Sequence, residues 1–136
     1  MEWVFDASVT LTWCFEDEKA GPTEALFDRL AVMPAVVPQV WPLEVGNTLT
    51  QAVRRGRITG KQRADFIRTI ASQLIDIDGE TATRAFDTIL SLADQHRLTT
   101  YDAAYLELAV RRGIPLATLD ADLRAAATAA GVPLLP

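Results

Sequence analysis

Short apolar runs, each closed by a residue that resists extension, divide this chain. Trp3-Val4-Phe5 stops at Asp6, Ala35-Val36-Val37 at Pro38, and Leu116-Ala117-Thr118-Leu119 at Asp120. Runs this short and continuously apolar predict strands buried on both faces, as in a parallel sheet. Ile75 to Ile77 and Val132 to Leu135 are further strand candidates. Between the runs the spacing becomes helical. Ala7 to Cys14 turns into a short helix. Pro22 and Thr23 open a helix to about Val32, with Leu26, Phe27 and Leu30 on one face, and Pro34 ends it. Pro42 suits the first turn of a helix that runs to about Arg55 and stops at Gly56; its stripe is Trp41, Val45, Leu49, Ala52 and Val53. Thr59 caps a helix carrying Phe66, Ile67, Ile70, Ala71 and Leu74. Glu80 to His96 has Ala82, Ala85, Phe86, Ile89, Leu90 and Ala93 at helical spacing. Thr99 or Thr100 caps a helix from Tyr101 to Arg112, ended by Gly113, and an alanine-rich helix follows Asp120 to Ala130. Strands alternating with helices predict an α/β fold, a three-layer α/β/α sandwich around a central parallel sheet. With 136 residues and no long linker, the expectation is a single domain over 1–136.

Composition narrows the chemistry. Hydrophobic residues are 49% of the chain and charged residues 23%, so it has the means to bury a core without disulfides or structural metal. One cysteine, Cys14, and one histidine, His96, exclude a disulfide framework and the usual zinc sites. A net charge of −5 argues against gripping nucleic acid by bulk charge. The N-terminus is apolar but carries Glu2 and Asp6 and lacks a basic region, so no signal peptide is expected. No uncharged apolar stretch is long enough to span a bilayer. A cytoplasmic protein with a reduced Cys14, buried as a small hydrophobe, is the expectation.

Most of the acids, including Glu16, Asp17, Glu18, Glu24, Asp28, Asp65, Asp87 and Glu107, fall on polar faces or in loops and read as solvated surface. Four others keep apolar company. Asp6 and Asp120 each end a strand, where ligands bind in open parallel sheets. Glu44, in Trp-Pro-Leu-Glu-Val-Gly-Asn, and Asp102, in Thr-Tyr-Asp-Ala-Ala-Tyr-Leu, lie in first turns of helices. Tyr105, Leu106 and Ala109 follow Asp102 as candidates for burial, so Asp102 is expected on the core side of its helix. Taken singly, each acid reads as well as a helix cap or a favourable charge at a helix N-terminus as it does as a site residue, and Asp120 in particular could simply be an N-cap. Together, carboxylates at one sheet end would repel each other and lose solvation, and a divalent cation removes both problems. Oxygen ligands without a Cys or His cluster point to Mg²⁺ or Mn²⁺.

These stretches resemble the motifs of PIN-domain nucleases. Val-Phe-Asp-Ala-Ser-Val is similar to the first motif, Trp-Pro-Leu-Glu-Val-Gly-Asn-Thr-Leu to the second, Leu-Thr-Thr-Tyr-Asp-Ala-Ala-Tyr-Leu-Glu-Leu-Ala to the third and most specific, and Leu-Ala-Thr-Leu-Asp-Ala-Asp-Leu to the last. They occur in the family's order from Asp6 to Asp120, and the length fits the VapC-type toxins of bacterial toxin–antitoxin pairs. The resemblance implies a PIN-like sandwich and an endoribonuclease that hydrolyses RNA with Mg²⁺ or Mn²⁺, leaving a 5′-phosphate and a 3′-hydroxyl. It puts catalysis and metal binding on Asp6, Glu44, Asp102 and Asp120, with Asp122 able to stand in for Asp120. It gives Ser8, Asn47 and Thr118 supporting positions behind those acids. It also implies a homodimer and a protein antitoxin.

Arg54, Arg55, Arg57, Lys61, Arg63 and Arg68 concentrate half-way along the chain. They read either as a solvated helix face or as a strip, Arg54, Arg55, Arg57 and Lys61 foremost, that steers RNA to the acids. Arg111 and Arg112 are expected to satisfy a helix C-terminus, and His96 to cap another. Trp13 and Trp41 belong either to the core or dimer packing or to a base-stacking surface. Other phosphoryl chemistries fit less well. Ser8 stands where a haloacid-dehalogenase-type phosphatase wants a second Asp. The only lysines, Lys19 and Lys61, come too early for a receiver domain, and no glycine-rich run precedes Lys-Ser or Lys-Thr. The remaining alternative is a non-catalytic α/β binding module that retains a metal site.

Overall fold

The computed structural model describes residues 2–136. Five strands, β1 (Trp3–Phe5), β2 (Ala35–Val37), β3 (Ile75–Ile77), β4 (Leu116–Ala117) and β5 (Leu134–Leu135), form one sheet in the order β3-β2-β1-β4-β5. Every pairing is parallel, with Val4 against Val36 on one side and Leu116 on the other. The chain builds outward from β1 to β3, then crosses back to β4 and β5. The direction of winding therefore reverses between β1 and β4, which creates a crevice beyond their carboxyl ends.

Right-handed crossovers place the helices before β3 on one face and those after it on the other. The first layer holds α1 (Ala7–Cys14), α2 (Gly21–Arg29), α3 (Val40–Arg54) and α4 (Gly60–Ala71), in which α1 packs on α2 and α3, and α3 on α4. The second holds α5 (Thr81–Arg84), a π-helical turn over Ala85–Ile89, α6 (Leu90–His96), α7 (Thr100–Arg112) and α8 (Ala121–Ala129), with α7 packed on α6 and α8. This is the three-layer α/β/α sandwich expected from the alternation of apolar runs. No helix among the described residues is long and apolar enough to cross a membrane.

The core explains the strand sequences. Trp3, Val4, Phe5, Ala35, Val36, Val37, Leu116 and Ala117 have no exposure at all. Phe5 stands between Trp13 and Trp41, with ring centroids 5.1 and 5.8 Å away. Each buried indole finds an acceptor: Trp3 donates to Met33 O at 3.1 Å, Trp13 to Thr23 O at 2.7 Å, and Trp41 to Thr10 Oγ1 at 2.9 Å. Trp13 and Trp41 are thereby core residues, not a stacking surface. Thr59 makes a full capping box with Gln62, and Thr99 rather than Thr100 caps α7.

The differences from the sequence pattern lie at the edge of the sheet and along the second layer. β3 is an edge strand whose Ile77 is half-exposed, and only Ile70 of the α4 stripe is buried. α3 begins two residues before Pro42. The helix expected over Glu80 to His96 is interrupted by the π turn, which leaves Phe86 93% exposed. Cys14 is half-buried. Glu107 departs furthest: expected on the surface, it is 2% exposed. It accepts from Arg111 at 2.7 Å, and Arg111 also binds Asp78 at 2.7 Å. Arg112 joins Asp78 at 3.1 Å and Glu2 at 2.9 Å. Both arginines lie in the last turn of α7, as expected, and in addition answer buried acids.

Arg111 holds the Asp78 carboxyl down at about 2, with Arg112 adding to the effect. A carboxyl depressed in the folded state stabilises above its unfolded pKa of about 4 and loses that contribution as pH falls towards 2. Replacing Arg111 leaves Asp78 with Arg112 and Glu107 with the more distant Arg84, so Arg111→Met is expected to cost about 2–3 kcal/mol at pH 7, read from urea midpoints. The cost should shrink as pH falls from 4 to 2; a pH-independent cost would show that packing, not charge, holds this corner.

Candidate functional site

The crevice between β1 and β4 collects the acids. Asp6 directly follows β1 and caps α1, accepting the Val9 amide through Oδ1 at 3.2 Å. Oδ1 also accepts the Ser8 hydroxyl at 2.6 Å, and Oδ2 accepts the Thr118 hydroxyl. Both hydroxyls are themselves held. Ser8 Oγ accepts the Leu119 amide and Thr118 Oγ1 the Asp120 amide, each at 3.0 Å. The end of β1 is thus stitched to the turn after β4 through a carboxylate and two hydroxyls. Arg124 adds a further bond, from its guanidinium to the Thr118 carbonyl at 2.9 Å. Asp120 caps α8 by accepting the Leu123 amide at 2.9 Å, so its capping role is real and coexists with a place at the site.

Asp102 arrives from the first turn of α7 in one helical layer; Glu44, in the other layer, comes from the second turn of α3 and not from the first turn expected, because that helix already starts at Val40. α3 starts at the carboxyl edge of the sheet because it follows β2, and α7 starts there because it runs back across the sheet to lead into β4. Glu44 Oε1 accepts the hydroxyl of Tyr105 at 2.7 Å. Tyr105 has no exposure, although sequence spacing marked it only as a core candidate. The signal for more was its place one turn after Asp102.

The electrostatics show that these groups share a space. Burial raises the Asp102 carboxyl to about 6, and the charges of Asp120, Glu44 and Asp6 push the same way. Burial raises Asp6, against the hydrogen bonds of Ser8, Thr118 and Val9, with Asp120 adding repulsion. Burial raises Glu44 as well, opposed by the Tyr105 hydrogen bond and reinforced by Asp6. The Tyr105 phenol, buried beside Glu44, is pushed well above its ordinary 10 and stays a donor. None of the four acids takes part in an ion pair among the described residues. The contrast with Asp78 and Glu107 is direct: those buried acids are matched by arginines, and these are not.

An all-carboxylate donor set with uncompensated charge suits a hard divalent cation. Asp6 Oδ1 has both lone-pair directions occupied, so Oδ2 is its free face for a ligand. The cage is not closed, however: no group of three or more Asp, Glu, His or Cys side chains among the described residues is already arranged around a metal position.

The remaining sequence candidates divide. Ser8 and Thr118 stand directly behind Asp6. Asn47 is exposed on α3, one turn after Glu44, and makes no side-chain hydrogen bond among the described residues. Asp122 lines a groove with His96 and Arg97, and only Asp120 of the two acts on Asp6 and Asp102. Arg57 stacks on Phe15 at 3.7 Å and pairs with Asp17 and Glu18, each at 2.8 Å. Lys61 pairs with Asp65 at 2.8 Å. Arg54 and Arg55 are exposed, but ten residues of helix, about 15 Å, separate Arg54 from Glu44. The structure does not bring this basic group to the acids.

Comparison with known proteins bears on the family and the fold. Residues 3–129 match the family described as PIN domain. The chain is 25% identical over 123 residues to a Pyrobaculum aerophilum protein named Ribonuclease VapC3, covering 90% of this chain and 92% of that protein. The fold is shared with the crystal structure of PAE2754 from Pyrobaculum aerophilum, at a TM-score of 0.73 and 22% identity, over 99% of this chain and 90% of that one. It is also shared with a chain in the structure of VapBC2 from Rickettsia felis bound to a promoter DNA fragment, at 0.69 and 10% identity, over 98% and 97%.

Raised carboxyl pKa values carry a stability consequence. A carboxyl whose pKa is higher in the folded state destabilises the fold progressively as pH rises from its unfolded value through its folded one, here from about 4 to about 6 for Asp102. Asp102→Asn is therefore expected to raise the melting temperature in EDTA at pH 7.5, and to give much less gain at pH 4. Thermal melts across that range check it; an equal gain at both pH values would mean that charge at Asp102 is not what is relieved.

Proposed function

This chain belongs to the PIN-domain family, and on that basis we propose that it is an endoribonuclease that depends on Mg²⁺ or Mn²⁺ and serves as the toxin of a toxin–antitoxin pair. The observation that carries the proposal is the meeting of Asp6, Glu44, Asp102 and Asp120 at the crevice between β1 and β4 without one cationic partner. The motif order and the likeness to Ribonuclease VapC3 support RNA as the substrate.

In this reading Asp6, Glu44, Asp102 and Asp120 hold the cation. Bound there, it supplies Lewis-acid polarisation of a phosphodiester and offsets the charge that builds on its oxygens. The protein's own groups do the positioning. Ser8, Thr118 and the Val9 amide fix the Asp6 carboxylate so that Oδ2 faces the crevice. The Leu123 amide fixes Asp120. No histidine or lysine lies among these groups, so hydrolysis has no side-chain acid of neutral pKa other than a carboxyl to call on. Water adds to phosphorus, the bond to the 3′-oxygen breaks, and the products are a 5′-phosphate and a 3′-hydroxyl.

A site of this charge repels RNA when it holds no cation. Regulation by a protein antitoxin follows the same logic: a basic side chain inserted among the acids would satisfy them and close the site. A homodimer in the cytoplasm completes the reading, and sedimentation should give twice the 14.9 kDa of one chain.

The protein freed of any partner is expected to cleave RNA with Mg²⁺ or Mn²⁺ and not in EDTA. Asp102→Asn should lower the rate at least about a hundredfold, roughly 2.7 kcal/mol of barrier. Cleavage that survives both EDTA and the substitution would place the activity elsewhere. A rise in melting temperature with Mn²⁺ but no cleavage would favour a non-catalytic module that keeps its metal site.

A further inference from the structure

Glu44 differs from its companions in how it is held. Asp6 has three donors on its carboxylate, and Asp120 has the Leu123 amide. Glu44 is half-exposed and has one more rotatable bond than an aspartate. Its side chain faces the negative charge of Asp6, which would drive it out towards water. One hydrogen bond opposes that drift: the Tyr105 hydroxyl donates to Oε1 at 2.7 Å. The Tyr105 ring has no exposure, and a packed tyrosine has only two side-chain torsions, both fixed by its neighbours. The bond joins α7 to α3 across 61 residues of chain and across the two helical layers. It occupies one oxygen of Glu44 and leaves Oε2 free.

We propose that Tyr105 is a positioning residue: its hydroxyl keeps the Glu44 carboxylate turned inward beside Asp6 and Asp102, so that Glu44 shares in binding a divalent cation. The inference rests on the metal-dependent reading above and adds to it a residue that touches neither cation nor RNA. The hydroxyl is a rigid anchor for a flexible acid. Without it, closing the site must first draw Glu44 back against repulsion, and the cost falls on cation affinity.

The experiment is calorimetric titration of the metal-free protein with Mn²⁺, for the wild type, Tyr105→Phe, Glu44→Ala and the double variant. Tyr105→Phe keeps the ring in the core. It should weaken Mn²⁺ binding about tenfold, as loss of a ligand's supporting hydrogen bond commonly does. In the Glu44→Ala background the same substitution should cause no further loss, because Tyr105 acts only through Glu44. In cleavage assays the Tyr105→Phe rate should recover as Mn²⁺ is raised. Glu44→Asp, which keeps the charge but falls short of the hydroxyl, should lose affinity comparably, and it serves if Tyr105→Phe does not fold. Wild-type affinity in Tyr105→Phe or Glu44→Asp, or equal losses from Tyr105→Phe with and without Glu44, would overturn the positioning role while leaving the metal site intact. A wild type that binds no Mn²⁺ would overturn both.

Discussion

Asp6 sits where the winding of the chain across the parallel sheet reverses, between β1 and β4, and its carboxylate ties that point together. Val9, Ser8 and Thr118 all donate to it, and through the two hydroxyls it reaches the Leu119 and Asp120 amides. One side chain thus caps α1, fixes the turn after β4 and places an acidic group at 4% exposure. Parallel strands end in loops whose polar backbone groups need partners, and a carboxylate satisfies several at once. The same geometry leaves one face of Oδ2 open to the crevice. Structural stitching and ligand binding are therefore joined in one residue.

Two sets of buried acids show what the site is by contrast. Asp78 and Glu107 each lie within 2.7 Å of Arg111, and together they lock the end of α7 to the edge of the sheet. Their charges are neutralised within the fold. Asp6, Glu44 and Asp102 are also wholly or partly buried, yet burial and mutual repulsion raise all three carboxyls. A fold gains nothing by collecting unpaired acids at one place. The stability lost there is understandable if another cation completes the site, whether a metal or a basic side chain of a partner.

Much of this was legible in the sequence. The apolar runs ending at Asp6 and Pro38 gave parallel strands covered on both faces, while the run expected from Leu116 to Leu119 is a strand only over Leu116–Ala117 and leaves Leu119 exposed in the turn before Asp120. Helical spacing located the layers, and Thr59 and Thr99 marked helix starts by their capping chemistry. The four acids stood out because each occurred where an apolar residue or a simple turn would have served. Glu107 was misjudged because its i,i+4 pairing with Arg111 is local but its burial is not: Arg111 is shared with Asp78, 29 residues earlier than Glu107.

What the sequence by itself determined was the alternation of strand and helix, and with it the sandwich and the acids' positions at strand and helix ends. Those are consequences of local periodicity, which a chain carries in its own order. The tertiary structure alone decided which charges remain unanswered. It turned Arg57 to Asp17 and Glu18, assigned Asp122 to the groove with His96 and Arg97, and set the Tyr105 hydroxyl on Glu44. Charge compensation depends on distances between residues remote in the chain, and only the folded packing of the two layers sets those distances.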